Sequence, residues 1–130
     1  MRFALLLIGF FTAAVTLAGE TDESKDKYFP QKLTAQELLY YCAASALSSS
    51  GRNRQYYCSG FVSGVEESVR LLNANSRDAN KNSICVPEGK PARHFRDVYI
   101  KHATKKTTDL ERPAAMVVLE ALESTFPCVK

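Results

Sequence analysis

The chain has no tryptophan, only two histidines, and four cysteines in 130 residues. It has no C-x-x-C pair and no glycine-rich phosphate loop, which removes the simplest redox, zinc and nucleotide motifs. It also lacks a block of like charge. The formal net charge is +3, with lysines and arginines interleaved among acids, so the footprint of a nucleic-acid binder is missing. No segment alternates apolar and polar residues at the strand period, and there is no internal repeat or low-complexity tract. These absences leave a small, largely helical protein as the fold to test.

One long apolar run is present, at residues 3–18 behind Met1-Arg2. A positive start, an apolar stretch and a small-residue exit at Thr16 and Ala18 make residues 1–18 a secretory signal peptide, with cleavage expected after Ala18. The run is short for a bilayer span and is followed at once by acidic residues. Glu20 stands where a lipoprotein would need cysteine, so no lipid attachment is expected. The expected location is the periplasm, with no membrane contact after cleavage. Removing the leader leaves about 112 residues, enough for one domain. Residues 19–32 are polar and expected to be flexible; residues 33–130 form the domain.

All four cysteines, Cys42, Cys58, Cys85 and Cys128, lie in the exported part. An even count in a small exported chain reads as two disulfides and takes cysteine off the list of catalytic groups. Three connectivities are open on sequence alone. Helical-hairpin geometry favours Cys42 with Cys58, equidistant from a Ser/Gly turn, and Cys85 with Cys128, which bracket the last two helices. Cys58 with Cys85 would force Cys42 and Cys128 to be joined across the whole bundle.

The expected fold is an all-α bundle of four to five helices. Thr34 and Glu37 form a capping box, with Leu33 and Leu38 at the staple positions. Leu38, Leu39, Cys42, Ala46 and Leu47 give the first apolar face. Residues 48–53 read as the break, and a second helix is expected from about residue 54 to 73. Its stripe is Cys58, Phe61, Val62, Val65, Val69 and Leu72; Gly60 and Gly64 suggest close approach of a neighbouring helix. Pro91 suits a first helical position before a stripe of Phe95, Val98, Tyr99 and His102. Pro113 opens the last helix. There Ala115, Val118, Leu119 and Leu122 form one face, while Met116 and Val117 lie partly off it, so the helix is either central in the core or also part of a dimer interface.

A search for chemistry finds little. Ser63 in Gly60-Phe61-Val62-Ser63-Gly64 is misplaced for a nucleophile elbow and sits inside a helix. His94 and His102 differ by about 80° around a helix, unlike an i,i+4 metal pair. Glu66 and Glu67 diverge as sequence neighbours and read as solvated face. No catalytic residue, metal or cofactor is expected. Tyr40-Tyr41 and Tyr56-Tyr57, beside the first disulfide, suit either an interface or packing around the bridge. Residue chemistry thus describes an exported, stapled helical module that binds protein.

Three blocks carry a family resemblance: Cys58-Ser59-Gly60-Phe61-Val62-Ser63-Gly64-Val65, then Ile84-Cys85-Val86-Pro87-Glu88-Gly89, then residues 113–128 ending in Phe126-Pro127-Cys128. In this order they resemble the Tai-type immunity proteins of bacterial type VI secretion, over about residues 36–128. The resemblance implies a small all-helical periplasmic protein, often a homodimer. Its partner would be a secreted effector amidase that cleaves peptidoglycan peptides, blocked sterically at its active-site cleft. Plugging a cleft needs a projecting loop on a rigid frame. The candidate effector contacts are Asn75, Arg77, Asp78 and Lys81 in one polar connector, and Lys105, Lys106, Thr107 and Asp109 in another. The alternatives are a periplasmic acid-stress chaperone or an envelope adaptor without a toxin partner.

Overall fold

The computed structural model describes residues 32–77 and 83–129. Among these residues there are four helices: α1 (Ala35–Cys42), α2 (Ser49–Asn75), α3 (Ala92–Ala103) and α4 (Ala114–Thr125). There is no strand among them, only isolated bridges pairing Thr34 with Pro113 and Ile84 with Pro127. The signal-peptide reading and most of the 19–32 segment lie outside the described residues.

Helix α1 starts as its sequence dictates. The Thr34 hydroxyl accepts from the Glu37 amide at 3.2 Å, and the Glu37 carboxylate accepts from the Thr34 amide at 2.9 Å. Two orphan donors are satisfied reciprocally. The helix ends at Cys42, so Ala46 and Leu47 do not extend its buried face; Leu47 is 95 % exposed. The connection is therefore residues 43–48, not 48–53. Ser48 caps α2, its hydroxyl accepting from the Gly51 amide at 3.0 Å. An N-capping serine converts what reads as a Ser/Gly turn into the first turn of a helix.

Helix α2 runs about 40 Å, more than twice the length of α3 or α4. Cys58, Val62, Glu66 and Val69 define its buried side, flanked by half-buried Phe61 and Val65. Leu72 lies beyond the packed part and is 73 % exposed. Gly60 and Gly64 point the other way. A methyl group added at either would meet nothing within 4 Å, so no helix approaches them closely.

Glu66 overturns its solvated-face reading. It is 4 % exposed and forms an ion pair with Arg70, whose Nη2 donates to the Pro87 carbonyl at 2.7 Å. The arginine thus ties α2 to the segment leading into α3. Arg70→Ala is expected to cost about 2 kcal/mol by leaving a buried carboxylate unpaired. Adding Glu66→Gln to that variant should recover most of the loss in a denaturant titration.

The core joins all four helices through Leu38, Val62, Phe95, Tyr99, Val118 and Leu122. The Tyr99 hydroxyl donates to the Ala35 carbonyl at 2.6 Å inside this core, and burial pushes its pKa well up. Pro91 is the N-cap of α3 rather than its first residue. On α4 the buried side is Ala114, Val117, Val118, Ala121 and Leu122. Val117 is 0 % exposed and belongs to the core, which removes it from the surface expected to hold a second copy. Met116 stays half exposed, and Ala115 and Leu119 turn outward instead of inward.

Candidate protein-binding surfaces

Two bridges hold the frame. Cys42 bonds to Cys58, tying the end of α1 to α2, and Cys85 bonds to Cys128, tying the lead-in of α3 to the tail of α4. The nested connectivity favoured by hairpin geometry is the one present. Backbone bonds reinforce the second bridge, from the Cys85 amide to Phe126 (2.8 Å) and from the Cys128 amide to Ser83 (3.2 Å).

Of the two polar connectors, residues 104–109 form a built turn. The Thr108 hydroxyl donates to the His102 carbonyl at 2.9 Å, and the Asp109 carboxylate accepts from the Glu111 amide at 3.1 Å. Beyond the turn, the Gln36 and Ala35 amides donate to Leu110 and Arg112, both at 2.9 Å, which fastens it to the start of α1. Lys105, Lys106 and Thr107 are left exposed. This is the architecture of a supported projection: side chains face water while the backbone is held at both ends. In the other connector, Asn75 donates to the Leu71 carbonyl at 2.8 Å and Arg77 is exposed. Asp78 and Lys81 lie outside the described residues. Among the described residues the two connectors line different clefts, one with Lys105 and another with Ser76 and Ser83.

The tyrosine pairs make a third surface, above the buried Cys42–Cys58 bridge. The Tyr41 ring lies 5.6 Å from Tyr40 and 4.9 Å from Tyr57, and the Arg54 guanidinium sits 4.8 Å above Tyr40. Tyr41 is half buried, whereas Tyr40, Tyr56 and Tyr57 are exposed. Burial first, then the neighbouring Tyr41 and Glu37, pushes the Tyr57 phenol up. Packing around the bridge and outward display therefore coexist. Exposed tyrosine beside arginine is the composition of binding hot spots. A fourth surface is apolar: Leu71, Leu72, Met116 and Leu119 are exposed, and Leu72 and Leu119 line a groove of about 430 Å³ between α2 and α4.

The histidines do not make a catalytic set. Ser124 Oγ lies 3.4 Å from His102 Nδ1, but the same hydroxyl bonds to the Ala121 carbonyl at 3.1 Å, and the nearby Glu120 is engaged by Arg112. Among the described residues no three His, Cys, Asp or Glu side chains converge to hold a metal. Burial, then Lys105, lowers the His102 pKa, and Glu120 opposes them. Protonation therefore favours the unfolded chain. This residue's contribution to stability is fully present above pH 6.5 and declines as pH falls through that value toward the folded pKa. His102→Gln should flatten that part of a melting-temperature profile between pH 8 and pH 5.

A four-helix frame with two bridges, a supported polar turn and exposed tyrosine and leucine surfaces defines a protein-binding module. A model of the Rap1a immunity proteins matches residues 34–128, and the chain belongs to that family. It is thus a type VI immunity protein, the level at which its sequence resemblance holds, and its partner is a cognate effector protein. No curated protein and no solved structure matches it.

Proposed function

We propose that this is a periplasmic immunity protein of the Tai type. It is exported by residues 1–18, binds a type VI secreted peptidoglycan amidase, and fills that enzyme's active-site cleft without chemistry of its own. Producer and sibling cells are thereby protected. The observation that carries the reading is the family match, which spans all four helices and both disulfides. The turn at residues 104–109 is the element best suited to enter a cleft, being held at both ends and polar at its tip. Two copies associate through the strip of Leu72, Met116 and Leu119.

Affinity capture tests the partner. The oxidised mature protein is used as bait against the secreted fraction of its own bacterium. One stoichiometric cysteine-hydrolase amidase is expected by mass spectrometry. Many unrelated envelope proteins, recovered mainly at acid pH, would favour a chaperone instead. For self-association, Met116→Glu should convert a dimer to a monomer in sedimentation analysis, with little change in fold because Met116 is half exposed.

A further inference from the structure

We propose that the cleft between α3 and the end of α4 receives carboxylate side chains of the protein partner. This rests on the effector-binding reading and extends the contact of the 104–109 turn, through Lys105, along the face of α3.

The cleft has a volume of about 580 Å³; α3 and the turn after it contribute His94, Asp97, Lys101, His102 and Lys105, and α4 contributes Ser124. Its size is that of an ordinary ligand site. Its charge is positive on balance. The carboxylate in its lining, Asp97, bonds to Arg96 at 2.9 Å, and Glu120, which acts on His102, bonds to Arg112 at 2.6 Å. Lys101 and Lys105 are four residues apart and have no ion-pair partner among the described residues. Like charges at this spacing repel, and Asp97, four residues before Lys101, offsets them only in part because it is bonded to Arg96. Two half-buried imidazoles stand beside it, and the ring of His94 is held 5.6 Å from Phe95 and 5.9 Å from Phe126. The walls are therefore placed by helix packing, while the lysine heads stay free. An acidic side chain entering here would gain two charge-assisted hydrogen bonds and relieve the repulsion.

The test titrates the oxidised protein with hexaglutamate, using hexaglutamine as control and nuclear magnetic resonance as readout. Saturable shifts confined to His94, Lys101, His102 and Lys105 are expected with hexaglutamate alone, weakening with salt. They should vanish in K101E/K105E, whose melting curve, expected to fall slightly because an acid in the last turn of α3 opposes the helix dipole, shows that it is folded. Equal shifts with hexaglutamine, or shifts that persist in K101E/K105E, would overturn the assignment. With the captured effector, the same variant should bind roughly tenfold more weakly or worse. Undiminished effector binding would overturn the assignment and leave immunity standing. A protein that takes hexaglutamate but no effector would overturn the proposed function and leave the carboxylate site standing.

Discussion

Replacing Cys85 and Cys128 by serine is expected to lower the melting temperature by about 20 °C. The bridge closes a loop with a sequence separation of 43. In the chain-entropy treatment, releasing a loop of that length costs about 4 kcal/mol. A domain near 100 residues loses about 5 °C per kcal/mol, which gives the shift. Net stabilities of such domains are about 5–15 kcal/mol, so this single change removes a large share. The native contacts around the bridge cannot replace it. Besides the two backbone bonds that make the Ile84–Pro127 bridge, the segment is held by Arg70 donating to Pro87 and Asn73 donating to Ile84, and among the described residues between α2 and α3 Ile84 is the one fully buried hydrophobic side chain. The Cys42–Cys58 bridge has a separation of 16, for which the same treatment gives about 3 kcal/mol. Melting both double serine variants at one pH compares the two loops directly. If losing the shorter loop proves the more damaging, chain entropy does not govern how these bridges stabilise the fold.

Gly51→Ala is expected to destabilise by about 3 kcal/mol, at the upper end for overpacking. A methyl group there would stand 1.8 Å from the Ser45 carbonyl oxygen and 3.0 Å from the Ser48 hydroxyl. The carbonyl belongs to backbone that cannot withdraw freely. The 43–48 connection is fastened by the Ser48 cap and by Arg52 donating to the Ala46 carbonyl at 3.2 Å. Either the connection moves or the first turn of α2 unwinds. Gly60→Ala and Gly64→Ala should have the opposite sign. Both lie inside α2 with open space around them, so alanine stabilises by about 0.5–1 kcal/mol through helix propensity. Three denaturant curves settle the comparison, and equal effects at all three positions would refute the packing assigned to Gly51.

The same glycines show what the sequence could and could not disclose. Gly60 and Gly64 have the spacing of a close helix contact, but spacing says nothing about which way a face points. Cys58, Val62 and Val69 turn that side of α2 outward. Gly51 is disguised by its neighbours, since a run of serines before a glycine reads equally as a turn or as a capped first turn. The capping box at Thr34, the helices opened by Pro91 and Pro113, and the cysteine pairing were all legible, because each rests on local chemistry or symmetry about a turn. Val117 and Glu66 were not. Their burial depends on which helices lie alongside, and periodicity does not carry that information. The lysine–histidine cleft was invisible for a related reason: His94 and His102 diverge on a helical wheel, and only the C-terminal turn of α4 closes a common wall beside them.

The most direct measurement is inhibition of the proposed amidase effector on peptidoglycan fragments, titrated with the oxidised protein. Blockade of the active-site cleft predicts complete loss of hydrolysis at one protomer per enzyme, relieved by excess substrate during slow competition. A stable complex that still hydrolyses substrate at the full rate would contradict it.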